Sequence, residues 1–100
     1  MQTHLSRLSA KRNIKPVNFY CEAPNAQTVY LIGDFTNWEE GAIPMERGPD
    51  GTWRVTVELP HGHHRYLFIV DGEPVLDPKA YGVGQHEKFG RVSIVAVSGF

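Results

Sequence analysis

A chain of 100 residues has the length of one small domain and can bury one modest hydrophobic core. Its composition, with 41% hydrophobic and 21% charged residues, is typical of a globular protein. The formal net charge of −1 excludes a molecule that binds nucleic acid through its overall charge, so we do not expect a nucleic-acid partner.

The basic residues are unevenly distributed along the chain. Residues 1–15 contain four basic side chains and no acidic one, and the remainder contains six basic and all eleven acidic residues. Because residues 1–14 also lack strand alternation, we interpret them as a basic tail that is either disordered or docked on the domain. A short helix from Leu5 to Lys11 is the alternative, although helices of that length are weak. The domain then covers residues 15–100.

Cys21 is the single cysteine, which excludes an intramolecular disulfide and indicates a reducing compartment. Residues 1–15 lack the apolar run of a secretory signal, and no segment is apolar for long enough to span a membrane. We therefore predict a cytoplasmic protein without a membrane partner.

The first two predicted strands lie in KPVNFYCEA and TVYLIGDF. In the first, Val17, Phe19 and Cys21 share one face, because successive strand residues point to opposite sides. The stretch that follows, TNWEEGAIPMERGPDG, is rich in glycine, proline and acidic residues. We interpret it as a loop that ends in a Pro49-Asp50-Gly51 turn.

The middle of the chain predicts a hairpin. HRYLFIV continues as a strand after a turn at Pro60-His61-Gly62, and Asp71-Gly72 is a favoured two-residue hairpin turn. The strand before the Pro60-His61-Gly62 turn, TWRVTVEL, places four apolar side chains on one face: Trp53, Val55, Val57 and Leu59.

The end of the chain combines the glycine-rich segment AYGVGQHEKFG with a final strand, RVSIVAV. Because no strand-to-helix context surrounds Gly82-x-Gly84, we interpret it as a mobile loop beside a ligand and not as a nucleotide-binding signature. Six or seven short strands without helical periodicity predict an all-β fold. We expect an immunoglobulin-like β-sandwich of about seven short antiparallel strands.

Two stretches, VYLIGDFTNW and GTWRVTVELPHGHHRYLFIVDGEPVLDP, carry a resemblance to a known family. In this order and spacing they resemble the family 48 carbohydrate-binding module, the glycogen-binding domain of AMP-activated protein kinase β subunits. Such modules also occur at the N-termini of glycogen branching and debranching enzymes. The resemblance runs from about Val17 to Val97. It implies an early-set, isoamylase N-terminal-like fold and a non-catalytic module that binds an α-glucan polysaccharide or maltooligosaccharide.

The resemblance also implies where the sugar binds. In that family the tryptophan matching Trp38 lies flat against glucose rings, and an indole suits the apolar C–H patch of a pyranose. Covering about 100 Å² at about 25 cal/mol/Å² gives at most about 2.5 kcal/mol, so one platform predicts weak binding. Phe89 is the second apolar contact, and four polar side chains are candidate hydroxyl partners: Arg91, Ser93, Asn37 and Arg65.

Three positions depart from the family pattern. Pro74 stands where the family has a second tryptophan after the Val-Asp-Gly turn. Leu67 stands where the family typically has a lysine, and Ser93 falls near the position of the family's hydroxyl-binding asparagine. Losing a platform and a hydrogen-bonding lysine costs about 1.5–3 kcal/mol, or roughly ten- to hundredfold in affinity. The alternative function is therefore a protein-interaction or scaffolding domain that has kept the fold and lost the sugar site.

Strand alternation also predicts an apolar stripe on the outward side of two strands, formed by Tyr30, Ile32, Leu67 and Ile69. If those strands share a sheet, the stripe is either an interface with a protein partner or second copy, or a surface covered by the chain termini. Trp38 has two interpretations as well, an exposed platform or a plug at the end of the sandwich.

The sequence contains no arrangement typical of a catalytic or metal site. Glu39-Glu40 form no defined acid–base pair, and no Ser-His-Asp or Cys-His set is visible. His61, His63 and His64 lie around a hairpin turn, without the cysteine or carboxylate that would complete a zinc site. We predict that the protein is not an enzyme and uses no metal or cofactor.

Overall fold

The structure of the protein, a computed structural model, describes residues 14–98. Most of the predicted tail and Gly99-Phe100 therefore lie outside the described residues. A four-residue 3₁₀ helix covers Trp38–Gly41. The described range also contains nine strands: β1 (Ile14–Glu22), β2 (Val29–Gly33), β3 (Ile43–Pro44), β4 (Glu46–Arg47), β5 (Thr52–Pro60), β6 (Gly62–Val70), β7 (Glu73–Val75), β8 (Gly82–His86) and β9 (Gly90–Val97).

The strands form two antiparallel sheets. The smaller sheet has the order β1-β5-β4. The larger sheet has the order β3-β2-β6-β9-β8, and β7 also pairs with β6. All these pairs are antiparallel. The predicted all-β sandwich of short antiparallel strands is confirmed.

The hydrophobic core lies between the two sheets. β1 and β5 pair along their whole length, from Ile14 opposite Pro60 to Glu22 opposite Thr52. Their alternation is the predicted one, with apolar side chains directed inward. Both sheets contribute buried side chains to one cluster: Phe19, Cys21, Trp53 and Leu59 from the smaller sheet, and Leu31, Tyr66 and Phe68 from the larger.

Polar groups at the edge of this core are paired. The Tyr66 hydroxyl donates to Asp77 Oδ2 at 2.6 Å, and the Asp77 backbone N–H donates to Ser93 Oγ at 2.8 Å. Burial and the Asp77 carboxylate raise the pKa of the Tyr66 phenol, so this hydroxyl remains a hydrogen-bond donor. These bonds attach the segment after β7 to the larger sheet.

The predicted turn at Asp71-Gly72 joins β6 to β7. Both residues have positive φ, 49° and 88°, as a two-residue hairpin turn of the favoured twist requires. Asp71 Oδ1 also accepts the backbone N–H groups of Gln27 and Thr28, at 2.8 and 2.9 Å. The aspartate therefore fixes the start of β2 beside the hairpin.

Two segments that we interpreted as loops contain regular structure. The stretch after β2 holds the 3₁₀ helix, β3 and β4. The glycine-rich segment holds β8, which pairs with β9 from Gly82 opposite Ile94 to His86 opposite Gly90. A Cβ on Gly84 would lie 3.3 Å from Ile94 Cδ1, so the glycine leaves room for its neighbour. The loop interpretation is wrong here, because backbone pairing outweighs the low strand propensity of glycine.

Gly33, at the end of β2, has no room for a side chain. A Cβ there would lie 2.6 Å from both Arg65 O and Phe35 Cε2. We expect Gly33→Ala to lower the free energy of unfolding by about 1–3 kcal/mol, because overpacking displaces backbone and ring. Urea denaturation measures the change. Gly82→Ala is the matched control, since its nearest neighbour would be 3.9 Å away, and an equal loss in both variants would contradict the packing argument.

Candidate functional site

The larger sheet buries apolar side chains on both of its faces. On the side away from the core, Ile32, Leu67 and Val92 are only 1%, 2% and 0% exposed. We call this side the outer face. No strand of the described chain is stacked on it; instead, side chains from turns and neighbouring strands pack against it: Trp38, Ala42, Ile69, Leu76 and Phe89.

The predicted apolar stripe lies on the outer face but is not exposed as a whole. Tyr30 is opposite Ile69 and Ile32 is opposite Leu67, so the four side chains share one face. Tyr30 is 38% exposed and Ile69 is half-buried. The prediction of an exposed stripe is wrong for Ile32 and Leu67, because the covering side chains bury them.

The GDFTNW turn places Trp38 over the outer face. Thr36 Oγ1 accepts the Gly33 backbone N–H at 3.0 Å and donates to Trp38 O at 2.8 Å. Asn37 and Trp38 both have φ of 56°, a left-handed conformation that is uncommon for a bulky residue. The buried Thr36 hydroxyl holds this conformation and directs the indole back across the sheet.

Three aromatic rings meet on the outer face, and we call them the ring cluster: Trp38, His86 and Phe89. The centroid distances are 4.4 Å from Trp38 to His86, 5.6 Å from Trp38 to Phe89, and 5.1 Å from His86 to Phe89. All three side chains are half-buried. His86 was not predicted as a site residue, because its segment was interpreted as a loop. The sequence alone carries no signal for it, because its place beside Trp38 depends on the pairing of β8 with β9.

Hydrogen bonds within the turn between β8 and β9 hold its shape, and an ion pair connects it to the 3₁₀ helix. His86 Nδ1 accepts the backbone N–H groups of Lys88 at 3.0 Å and Phe89 at 3.3 Å. Lys88 Nζ forms an ion pair with Glu39 and lies 5.5 Å from the centroid of the Phe89 ring. The hydrogen bond from Lys88 lowers the pKa of the Glu39 carboxyl. Because both charges are exposed, the ion pair orients the turn more than it stabilises the fold.

A groove of about 350 Å³ lies on the outer face beside Phe89. Pro74 is opposite Ile69 in the β6–β7 pair and therefore belongs to the same face. Such a groove, apolar with a few polar groups at its edge, suits an uncharged ligand that has an apolar face and hydroxyl groups. Its lining comes from three parts of the chain: Tyr30, Ile32, Glu39, Ala42, Ile69, Gly72, Pro74 and Phe89.

Two other cavities, of about 340 and 470 Å³, lie between β1 and residues 75–81. None of the predicted sugar contacts lines either of them. Of the three cavities, the outer-face groove is the one that a predicted sugar contact, Phe89, lines.

Arg91 and Ser93, two predicted hydroxyl partners, do not meet the ring cluster. β9 alternates regularly, so both residues point to the side opposite Val92. Ser93 is also fully buried, and its hydroxyl accepts the backbone N–H of Asp77. Both side chains therefore lie on the side of β9 that faces away from the ring cluster.

Arg65 and Asn37, the other two predicted partners, lie near the ring cluster. Arg65 lies two residues before Leu67 in β6, so its side chain points to the same outer face. There its guanidinium donates to Gln85 O at 2.9 Å. Asn37 Nδ2 donates to Glu40. Both side chains are exposed, and the guanidinium has further donors for a ligand.

No metal centre is formed within the described residues. No three His, Cys, Asp or Glu side chains of residues 14–98 are grouped to hold an ion. His64 Nε2 instead lies 2.8 Å from Pro60 O, and its Nδ1 lies 3.8 Å from Asp34. Over the same range, no helix is both long and apolar enough to cross a membrane.

Comparison with known proteins decides the family. The family described as the glycogen recognition site of AMP-activated protein kinase matches residues 16–96 of this chain. The chain belongs to this family. The glycogen-recognition family is the one that the sequence motifs indicated, and its match spans β1 to β9.

The relatives that match this chain are longer proteins. The chain is 31% identical over 94 residues to the 1,4-alpha-glucan branching enzyme of Protochlamydia amoebophila, covering 90% of the chain and 13% of the enzyme. It is 41% identical over 64 residues to that of Lactobacillus acidophilus, covering 59% and 10%. It is 40% identical over 50 residues to 5'-AMP-activated protein kinase subunit beta-1 of Sus scrofa, covering 50% and 38%. The matched part is thus a minor fraction of each relative.

Substitution of Leu67 tests whether the apolar cluster on the outer face stabilises the fold. We expect Leu67→Ala to lower the free energy of unfolding by about 2–4 kcal/mol, because it leaves a cavity beneath the ring cluster. The matched control is Tyr30→Ala on the same face, which removes a 38% exposed side chain and should cost clearly less. Urea denaturation of both variants measures the difference. A loss below about 1 kcal/mol for Leu67→Ala would show that the cluster contributes little.

Proposed function

We propose that the chain is a non-catalytic module that binds an α-glucan, such as glycogen or a maltooligosaccharide, on its outer face. One observation carries the proposal: Trp38 and Phe89 lie with ring centroids 5.6 Å apart over an apolar sheet face, in a chain of the glycogen-recognition family. The printed names of two relatives, 1,4-alpha-glucan branching enzymes, support the same substrate class.

Stacking supplies the affinity. The apolar C–H face of a glucose ring covers the accessible part of the Trp38 indole, and both surfaces leave water. Phe89 belongs to the ring cluster and also lines the groove, so the next glucose units extend from Trp38 past Phe89. The groove continues toward Tyr30 and Pro74, where a proline ring gives a smaller apolar contact than the tryptophan of the family pattern.

Exposed polar groups around the rings supply hydroxyl contacts. Glu39 lines the groove and accepts hydrogen bonds, while Arg65 and Lys88 donate them. Asn37, next to Trp38, adds an amide. With one indole and few rigid donors, affinity is weak, and several modules on one polysaccharide or enzyme raise it through avidity.

A second candidate function, docking of a protein partner or second copy, has one observation in its favour. Three side chains of the predicted stripe, Tyr30, Ile32 and Ile69, line the groove, and Pro74 lines it with them. Such an apolar groove also suits a protein side chain.

The cytoplasmic location remains a prediction from the single cysteine.

Substitution of Trp38 tests the glucan proposal. We expect Trp38→Ala to weaken binding of maltoheptaose or β-cyclodextrin at least about tenfold, because the stacking surface is lost. Trp38→Leu should do the same while it keeps an apolar cover over Ile32 and Leu67. Amide NMR shifts during titration measure the affinity, and urea denaturation verifies the fold.

Tyr81→Ala is the matched control for this experiment, since it removes a 72% exposed ring that lines a different cavity. It should bind as the wild type does. Unchanged affinity in a folded Trp38→Leu variant would contradict the proposal. Absence of wild-type binding at millimolar sugar would favour the protein-docking function.

A further inference from the structure

His86 has two structural roles in the ring cluster. Its ring lies 4.4 Å from Trp38 and 5.1 Å from Phe89, between residues that are far apart in the sequence. Its Nδ1 atom accepts two backbone N–H groups, from Lys88 at 3.0 Å and from Phe89 at 3.3 Å. The same imidazole therefore contacts both apolar rings and holds the turn that carries one of them.

This arrangement requires a neutral imidazole. A nitrogen that accepts hydrogen bonds has a free lone pair, so Nδ1 carries no proton and Nε2 carries the ring proton. The Nε2–H group is then a donor for a sugar hydroxyl. A proton on Nδ1 would point toward two N–H donors, and the turn would have to open.

We propose that His86 is a positioning residue and third ring of the glucan-binding surface, and that protonation of its imidazole weakens glucan binding. This inference rests on the glucan-binding function proposed above. Opening of the turn displaces Phe89 from its place beside Trp38, so a glucan loses the second apolar contact.

The ion pair between the 3₁₀ helix and the turn responds to the charge of His86. Glu39 faces it from the 3₁₀ helix, and Lys88 and Glu87 lie in the turn. Arg65 of β6 donates to Gln85 O on the same face, and Arg91 points to the other side of β9. Because the hydrogen bond from Lys88 lowers the pKa of Glu39, this carboxylate stays charged in mildly acidic solution. An imidazolium attracts Glu39 and repels Lys88, so it weakens the ion pair between the helix and the turn.

The test compares maltoheptaose affinity at pH 7.5 and pH 5.5 for the wild type, His86→Asn and His63→Asn. For the wild type we expect the Kd to rise roughly three- to tenfold at the lower pH, because a protonated Nδ1 no longer accepts the two backbone N–H groups of the turn. His86→Asn keeps an oxygen acceptor near the position of Nδ1 and cannot be protonated. It should bind more weakly than the wild type at pH 7.5, with a Kd that changes less than twofold between the two pH values.

His63→Asn is the matched control, because His63 lies beside Tyr81 at a centroid distance of 5.3 Å and not in the ring cluster. It should keep the wild-type pH dependence. A wild-type Kd that is independent of pH, or a pH dependence that persists in His86→Asn, would overturn the inference.

A measurement without sugar separates this inference from the proposed function. In the wild type, the amide signals of Lys88 and Phe89 and the indole N–H signal of Trp38 should shift together with the His86 ring as pH falls. Joint shifts with no sugar binding would leave the proton-sensitive turn standing and refute the glucan function. Sugar binding with no coupled shifts would refute the role of His86 and leave the glucan function standing.

Discussion

The outer face of the larger sheet is the constraint on which the binding surface depends. β2, β6 and β9 carry apolar side chains on both faces, yet the smaller sheet covers only one of them. Ile32, Leu67 and Val92 would each forfeit about 1.5–3 kcal/mol if left in water. Trp38 and Phe89 provide the cover for these side chains. The fold therefore holds the aromatic rings in place before any ligand arrives, which reduces the ordering cost of binding.

The same constraint resolves the two interpretations of Trp38. Its indole is half-buried against the buried side chains, so it covers them and still has accessible surface. If Trp38 binds a glucan as proposed, stability and binding are coupled at this residue. At Leu67 the family pattern has a lysine, which donates hydrogen bonds to hydroxyl groups. This chain has an aliphatic side chain there, which packs beneath the Trp38 and Phe89 rings.

The structure brings together some of the side chains that the motif resemblance assigned to the sugar site and separates others. Trp38 and Phe89, assigned from the family pattern, do lie side by side. Arg91 and Ser93, assigned in the same way, do not, because their side of β9 faces away from the rings. A motif specifies which residue types occur at which spacing. Which face of the sheet a side chain points to depends on its position in the strand, because successive residues point to opposite faces.

The sequence by itself determined the strands with clear alternation, the turns at Pro49-Asp50-Gly51 and Asp71-Gly72, and the inward side of β1 and β5. These features depend on neighbouring residues and on periodicity, which are local. Only the tertiary structure decided that Ile32 and Leu67 are buried, that the glycine-rich segment pairs as β8, and that His86 joins the rings. Each of these depends on pairing or packing between segments distant in the chain, and sequence periodicity contains no information about which distant segment covers a given face.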